Sequence, residues 1–268
     1  MTIQSNQYHI DKSRGLYRFI EILIPLTVWA TIFMPVWLSV LHPAVAAYLI
    51  LTYLLYFFYK TMKTMYFAII LYRLMQRVEK IDWASEVESL PNYKDIHHFI
   101  LIVNYKESLE KLSVTMDHLV SQNYDKKHIH VVLGMELREG EAAEIRSKAV
   151  YEKYGHIFGS ISTTYHELIA GETIGKASNA TFAAKFMSEK VKEIGIAPEH
   201  AIVTVCDADS LLPPNYIPCV TFKYLQNPDS KYHFYAAPVL LYNNFWKLPL
   251  PVRVQTMLSS IARFAYVS

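Results

Sequence analysis

Two long apolar segments close to the N-terminus restrict the fold of this chain more than any other feature of its sequence. Residues 22–41 form a run of twenty residues without a charged side chain, and residues 44–59 form a second uncharged run. An α-helix rises about 1.5 Å per residue, so twenty residues reach about 30 Å, the thickness of the hydrocarbon core of a bilayer. The first run therefore predicts a helix that crosses a membrane.

The second run is short for a membrane span, but its apolar pattern continues beyond Lys60 and Lys63. Lysine side chains can extend their ammonium groups to the membrane surface while their stems stay in the apolar region. We therefore predict transmembrane helices over about 20–41 and 44–70, joined as a hairpin by a tight turn at His42-Pro43. More than half of the residues in the chain are apolar, which agrees with membrane segments.

Basic residues flank the two predicted spans, whereas the turn between the spans has none. They are Lys12, Arg14 and Arg18 before the first span, and Lys60, Lys63, Arg73, Arg77 and Lys80 after the second. Lysine and arginine accumulate on the cytoplasmic side of membrane helices. We therefore predict a multi-pass protein of the plasma or inner membrane, with both ends of the membrane region and the soluble domain in the cytoplasm.

Two alternatives to a membrane hairpin stay open at this point. Ala44-Val45-Ala46 resembles the cleavage site of a signal peptide, although the apolar run before it is long and a second run follows. The same segments could also form a buried hairpin in a soluble protein, where the aromatic residues at 53–58 would belong to the core.

From residue 83 onward charged residues return, and short apolar runs alternate with helical patterns. The predicted strands are 98–105, 128–134, 157–165 and 201–206, and the predicted helices are 108–120, 139–154 and 176–194. This alternation predicts an α/β fold with a mostly parallel, doubly wound, Rossmann-like sheet. The chain then consists of a membrane region, 1–82, which ends in a juxtamembrane helix, and an α/β domain, 83–268.

Charge and cysteine content exclude two classes of function. The formal net charge is +2, and no basic surface with interleaved aromatic residues is visible in the sequence, so we predict no nucleic-acid partner. Cys206 and Cys219 have neither the spacing nor the neighbouring histidines of a zinc site. Two reduced cysteines agree with a cytoplasmic domain.

The acidic motif Asp207-Ala208-Asp209 directly follows the fourth predicted strand. Two carboxylates at i and i+2 on a turning backbone can both face one hard cation, and Mg²⁺ or Mn²⁺ takes oxygen ligands while leaving places for phosphate oxygens. Ligands of doubly wound sheets bind outside the carboxyl ends of the strands. The motif therefore predicts a Mn²⁺ or Mg²⁺ site, with a capped, solvated turn as the alternative.

A second motif, 171–179, reads Gly-Glu-Thr-Ile-Gly-Lys-Ala-Ser-Asn. It differs from a Walker A sequence because three residues, not four, separate its glycines and because alanine follows Lys176. Without the Walker A interpretation, the motif predicts a helix that begins with Lys176 and carries Asn179 in its first turn. A helix N-terminus and an ammonium group together suit an anionic ligand, whereas the simpler alternative is a surface lysine after a glycine-punctuated turn.

Polar side chains also follow the first two strands. Tyr105 and Glu107 lie in the loop after the first strand, and Glu136 follows the second. A tyrosine ring can flank a nucleobase, and a carboxylate can accept a hydrogen bond from a ribose hydroxyl or a base N–H. Taken alone, each of the two glutamates is more simply explained by helix capping.

In chain order, the aromatic and acidic loop, the second acid, the Gly-Lys helix start and the acidic pair resemble the inverting family 2 glycosyltransferases of the GT-A fold. The resemblance covers roughly Ile96 to the end of the chain. It is strongest over 175–179 and 203–209, and residues 236–246 look like the segment after the DxD motif in a membrane-bound bacterial branch. One departure is the first-strand loop, 103–107, which lacks the proline that the family usually has there.

The resemblance implies a nucleotide-diphospho-sugar donor, a UDP- or GDP-sugar. It also assigns the polar residues after the first two strands to the nucleoside. Tyr105 and Glu107 would contact the nucleoside. Glu136 stands where the family usually has aspartate for the base. The other partners that it implies are membrane lipid and an acceptor, either a lipid or a polysaccharide.

The resemblance assigns the remaining site residues to the diphosphate, the sugar and the metal. Lys176 and Asn179 would line the nucleotide-sugar pocket. Asp207 would lie near the ribose or the diphosphate and contribute to the metal site, and Asp209 would bind the metal ion.

An inverting transferase also needs a general base that deprotonates the acceptor hydroxyl. The family supplies it from a Glu-Asp or Asp-Asp motif well after DxD, and many membrane members then have a Gln-x-x-Arg-Trp motif. Neither motif follows Asp209, and the one later carboxylate, Asp229, lies in a Gln-Asn-Pro-Asp sequence typical of a turn. We therefore assign no catalytic residue and expect a GT-A domain that is incomplete at its C-terminus, carries the donor half and has little or no transferase activity.

Two other functions remain compatible with these residues. The chain could be a catalytically silent membrane protein that retains the fold for nucleotide binding or assembly. A nucleotidyltransferase or another phosphoryl-transfer enzyme could use a similar acidic site.

Overall fold

The computed structural model describes residues 14–169, 171–236, 239, 241 and 245–267. It divides into two compact units. The first takes in the described chain up to Tyr72 together with Leu258–Tyr266, and the second takes in Arg73–Met257. Lys12 of the basic N-terminal flank, and part of the 236–246 segment that carries the family resemblance, lie outside the described residues.

The N-terminal unit contains two long helices, α1 (Arg14–Leu41) and α2 (Pro43–Val78), of 28 and 36 residues. Both are long and apolar enough to cross a membrane. Their most apolar windows are 0 % and 6 % buried in the structure, so these side chains do not form the core of a soluble hairpin. The two helices thus agree with membrane anchoring rather than with the buried-hairpin alternative.

The bounds of the two helices differ from the predicted ones in an informative way. The predicted turn is a single residue, His42, and Pro43 occupies the first position of α2, where its missing N–H costs no hydrogen bond. The juxtamembrane helix is continuous with α2, because neither glycine nor proline interrupts the chain between Pro43 and Val78. The hairpin arrangement itself stays a prediction.

The second unit is built on a four-stranded sheet whose strands are all parallel, in the order β3-β2-β1-β4. The strands are β1 (His97–Val103), β2 (Ile129–Glu136), β3 (Ser160–His166) and β4 (Ala201–Asp207). They confirm the predicted strands to within three residues at each end. The strand order reverses at β1, because β2 and β3 lie on one side of it and β4 returns to the other.

Helices cover both faces of this sheet, as the doubly wound prediction requires. The helices of this unit are α3 (Trp83–Glu88), α4 (Leu109–Val120), α5 (Glu141–Tyr154), α6 (Lys176–Ile194) and α7 (Tyr216–Gln226), followed by α8 (Leu250–Val267), which both units share. One core contains side chains of α4, α5 and α7 against the sheet. The other contains Ala183, Met187 and Val191 of α6.

Local signals in the sequence fix the ends of two of these helices. Ser108 caps α4 by accepting a hydrogen bond from the N–H of Lys111. Gly195 ends α6 in the left-handed conformation, at φ 79°, which glycine adopts without steric cost. The position of α6 matters for the site because its first residue is Lys176.

The two sides of the sheet are unequally covered at β4. Phe99 and Leu101 of β1 are fully buried under α6, whereas their neighbours in register on β4, Val203 and Val205, are 51 % and 52 % exposed. α6 therefore covers the centre of the sheet and leaves this face of β4 open in the described part of the chain.

Histidines cluster at the amino ends of β1 and β2, on the opposite edge of the sheet from the strand ends that carry the acidic residues. His97 Nδ1 lies 3.0 Å from His130 Nε2, and His98 Nε2 lies 2.7 Å from the hydroxyl of Thr221. Burial lowers the pKa of His98 to about 3 and that of His130 to about 4. Both imidazoles are therefore neutral in the folded state at neutral pH.

This cluster predicts that the sheet loses stability in mild acid. A histidine whose pKa is lower in the folded than in the unfolded chain favours unfolding once the pH falls below the unfolded value of 6.5. For His98 the loss is on the order of 1.4 kcal/mol per pH unit, or about 2 kcal/mol between pH 6.5 and pH 5. This loss of stability is measured by urea unfolding of the full chain in detergent at several pH values, with pulse proteolysis as the detection method.

The matched variants are His98→Gln, whose amide can still bond to Thr221 but does not titrate, and His156→Gln at an exposed position. We expect the first to make the pH dependence less steep, with the part that comes from His130 remaining, and the second to leave it unchanged. An equally steep dependence in His98→Gln would show that other groups cause the acid sensitivity.

Candidate functional site

A cavity of about 410 Å³ opens at the carboxyl ends of the strands, next to the point where the strand order reverses. Ligands of doubly wound sheets bind at this position, and the volume lies in the range of small-molecule sites. All seven site residues predicted from the sequence line it, together with Val103, Arg138, Gly175 and Ala208. The seven are Tyr105, Glu107, Glu136, Lys176, Asn179, Asp207 and Asp209.

The Asp207-Ala208-Asp209 turn is held by its neighbours rather than by the Asp207 carboxylate. The N–H of Asp207 donates to the hydroxyl of Ser210 at 3.0 Å, and the N–H of Ser210 donates to the carbonyl of Asp207. The buried Thr115 of α4 donates to the carbonyl of Ala208 at 2.8 Å. These contacts account for the turn without making the Asp207 side chain a cap.

The Asp207 carboxylate pairs instead with the ammonium group of Lys176, at the start of α6. Both side chains are more than half exposed to solvent in the cavity, at 58 % and 51 %. An exposed ion pair of this kind contributes little to stability. Either group can therefore give up this ion pair at low cost and bind a ligand instead.

Asn179 forms part of the cavity wall and is 1 % exposed. Its amide nitrogen donates to the carbonyl of Gly134 at 2.9 Å, which fixes the orientation of the side chain. Its Oδ1 has no hydrogen-bond partner among the described residues. Gly134 makes this packing possible, since a Cβ at that position would lie 3.1 Å from Asn179 Oδ1. The site thus holds an oriented and unused acceptor.

Tyr105 stands at the cavity with its ring 42 % exposed. The guanidinium of Arg138 lies 4.2 Å from the ring centroid, and the ammonium of Lys106 lies 5.1 Å from it. Cations over an aromatic face are attracted by its quadrupole. Tyr105 and Arg138 therefore form a stacked pair, made from the loops after β1 and β2.

The loop that carries Tyr105 is held in an unusual backbone conformation. Lys106 has φ 59°, in the left-handed region that favours glycine, and its N–H donates to Glu139 Oε2 at 2.9 Å. Glu139 also accepts a hydrogen bond from Arg146 of α5, and the two side chains are 3 % and 14 % exposed. This buried ion pair therefore ties the loop after β1 to α5.

Glu136 ends β2 with its carboxylate almost entirely buried, at 4 % exposure. Arg138 Nε lies 3.3 Å from Glu136 Oε2, and His166 Nδ1 lies 3.5 Å from the same oxygen. The other ring nitrogen of His166 lies 3.0 Å from Glu172 Oε2. Hydrogen bonds from the N–H of Ile169 and from His166 lower the pKa of Glu172. His166 thus links Glu136 to the segment that precedes α6.

Glu107, the remaining predicted residue, forms an ion pair of 2.6 Å with Lys111 of α4. The hydrogen bond and the charge of Glu107 raise the pKa of Lys111, and the charge of Asp209 adds to the shift. The cavity thus combines four carboxylates with two cationic side chains from its own wall, Arg138 and Lys176, and with Lys111 beside it. This mixed charge suits a ligand that brings both phosphate groups and a cation.

The sequence alone did not single out Arg138, Glu139 or His166. The signal for Arg138 was available, because it follows Glu136 by two residues at a strand end, where side chains reach the ligand side of the sheet. Glu139 and His166 act through contacts with residues 33 and 30 positions away, Lys106 and Glu136. Such pairings depend on strand order and register, which the local pattern does not give.

In the described part of the chain, no group of three or more His, Cys, Asp or Glu side chains is arranged to hold a metal ion. Asp207 and Asp209 supply two carboxylates, and a Mg²⁺ or Mn²⁺ ion there would need its other ligands from water and a bound phosphate. Comparison of the chain with protein-family models, with curated proteins and with solved structures finds no match. The function therefore has to be argued from the cavity itself.

Proposed function

We propose that this chain is a membrane-anchored, metal-dependent glycosyltransferase of the inverting type with a GT-A fold, which binds a UDP- or GDP-sugar. One observation supports it above all others. Residues from four separate segments of the sequence, chosen for the chemistry of a nucleotide-sugar site, line one cavity at the carboxyl ends of a parallel sheet. The order β3-β2-β1-β4 is shared by doubly wound sheets that bind nucleotides, and it agrees with a nucleotide site beside the acidic pair after β4.

The nucleoside would bind on the side of the cavity formed by Tyr105, Arg138 and Glu136. Tyr105 offers a partly exposed ring edge and face for the nucleoside. A carboxylate oxygen accepts hydrogen bonds, so Glu136 would pair with a ring N–H, which uracil and guanine have on their pairing edge and adenine and cytosine lack. Arg138, held 3.3 Å from Glu136, would donate to a neighbouring base carbonyl. These preferences agree with UDP or GDP.

The diphosphate would bind between Lys176 and the acidic pair. Lys176 begins α6, so the ammonium group and the free N–H groups of the first turn offer positive charge to one phosphate. Asp207 and Asp209 would hold Mn²⁺ or Mg²⁺, which when bound neutralises charge on the departing diphosphate. Lys176 would then leave Asp207 for the phosphate, an exchange that the exposure of this pair permits.

In the inverting reaction, an acceptor hydroxyl gives its proton to a general base as it attacks the anomeric carbon, and the nucleoside diphosphate leaves from the opposite face with the bonding electrons. Asn179 Oδ1, an oriented acceptor without a partner, would position a hydroxyl of the donor sugar. The acceptor proposed here is a lipid or a polysaccharide at the membrane. α1 and α2 would anchor the enzyme in the plasma or inner membrane, with the α/β unit on the cytoplasmic side.

A second candidate function is nucleotide binding without transfer, by a membrane protein that retains this fold. One observation favours it: among the described residues, the carboxylates that line the cavity are those already assigned to the nucleotide and the metal. No general base for an acceptor hydroxyl is therefore assigned in the described residues.

Calorimetric titration of the full chain in detergent with UDP and with GDP, with and without Mn²⁺, tests the proposal. We expect one of the two nucleotides to bind, more tightly when Mn²⁺ is present. Sugar transfer from the matching labelled donor to membrane lipids would support the transferase, and binding without transfer would support the second candidate. Absence of nucleotide binding under all four conditions would refute both.

A further inference from the structure

The helix α8 is amphipathic, and its apolar side is exposed. Apolar residues recur at spacings of three and four, which places them on one face of an α-helix. They are Leu250, Val254, Met257, Leu258 and Ile261, with exposures between 38 % and 68 %. We refer to these five residues as the apolar face of α8.

Three polar residues of the same helix are turned inward, whereas Gln255 and Arg263 are exposed. Ser260 is 1 % exposed, and Arg253 and Thr256 are half-buried. A helix on the surface of a soluble domain turns its apolar side to the core and its polar side to water. Burial of apolar surface contributes about 25 cal/mol per Å², so an exposed apolar face of this size is unfavourable in water. The arrangement in α8 instead fits apolar surroundings on its outer side.

Charge and aromatic residues indicate what those surroundings are. From residue 230 to 268 the sequence contains Lys231, Lys247, Arg253 and Arg263 and neither aspartate nor glutamate. Trp246, which is 81 % exposed, lies four residues before the start of α8. Tryptophan favours the boundary between lipid and water, and basic residues are attracted to anionic lipid headgroups.

We propose that α8 lies in the interface of a membrane that contains anionic lipids, with its apolar face in the acyl region. It forms a third contact with the bilayer, beyond the two membrane-length helices. In the described part of the chain, α1 and α2 alone are long and apolar enough to cross a membrane, so α8 lies on the membrane rather than spanning it.

The depth of spin labels in the membrane tests this proposal. In a Cys206→Ser, Cys219→Ser background, a label at Met257→Cys reports on the apolar face. A label at Gln255→Cys reports on an exposed polar position of the same helix, away from the apolar face, and is the matched control. The full chain is reconstituted in vesicles of phosphatidylcholine and phosphatidylglycerol. Collisional accessibility to oxygen, which concentrates in lipid, is then compared with accessibility to a water-soluble nickel chelate.

We expect the label at Met257 to be more accessible to oxygen than to the chelate, and the label at Gln255 to show the reverse. Leaving out phosphatidylglycerol should reduce the oxygen preference at Met257. High chelate accessibility at both positions would place α8 in water and overturn the proposal, as would dipolar broadening from a second copy. Val254→Cys provides an independent site on the apolar face, and because the nucleotide site is not involved, the outcome is separate from the proposed function.

Discussion

Replacing Asp209 by asparagine should remove the Mn²⁺-dependent part of nucleotide binding and lower the affinity by at least about a hundredfold. Residues that only orient metal ligands already cost about ten- to a hundredfold when mutated, and Asp209 is proposed to bind the metal directly. An asparagine keeps the size of the side chain and leaves the turn intact, since Ser210 and Thr115 hold it through Asp207 and Ala208. The measurement is titration calorimetry with UDP or GDP at fixed Mn²⁺.

Asp229→Asn is the control for this experiment, because it removes the same charge from a turn outside the cavity. It should bind nucleotide as the unmodified chain does. If Asp209→Asn retained Mn²⁺-dependent binding, the acidic pair would not be the metal site and the proposed function would lose its main chemical element.

Replacing Arg146 by methionine should destabilise the α/β unit by about 3 kcal/mol. Removing one partner of a buried ion pair leaves the other charge buried without compensation, which costs about 3–5 kcal/mol, and the partial exposure of Arg146 places it at the lower end. Glu139, 3 % exposed, would be left holding only the N–H of Lys106. Urea unfolding of the full chain in detergent with pulse proteolysis measures the change.

Two further variants separate the ion pair from other effects of the substitution. Glu139→Gln combined with Arg146→Met removes both charges and should recover part of the lost stability. Lys148→Met, an exposed position two residues further along α5, should have little effect. A destabilisation of the double variant larger than that of Arg146→Met would contradict the explanation, because no charge would then remain unpaired.

Much of this fold was predictable because its signals are local. β1 and β2 are buried on both faces, and strands of that kind produce the uninterrupted apolar runs seen in the sequence. The predicted ends of α6 agree with the structure at both Lys176 and Ile194, since glycines at 175 and 195 flank it. The convergence of the site residues followed from one rule, that parallel strands place their carboxyl ends at one edge.

Other features were out of reach because they depend on contacts between distant segments. The order β3-β2-β1-β4 places β4 beside β1, and this pairing brings Asp207 into register with Val103. The loop at Lys106 depends on a hydrogen bond to Glu139, and Glu139 in turn pairs with an arginine on α5. The spacing of apolar residues in α8 is visible in the sequence, but which side of the helix is buried is not.

Gly134 gives the cavity a property that protein engineering can use. It lies within the fully buried strand β2, and the Asn179 amide packs over it so closely that a Cβ at this position would lie 3.1 Å from Asn179 Oδ1. Because Gly134 has no Cβ, Asn179 Oδ1 can lie close to the sheet, and this position determines how deep in the cavity it would meet a ligand. An alanine at this position would push that acceptor outward by a few tenths of an ångström without altering any charge. Ligand preference could therefore be retuned through shape alone, from a residue that never contacts solvent.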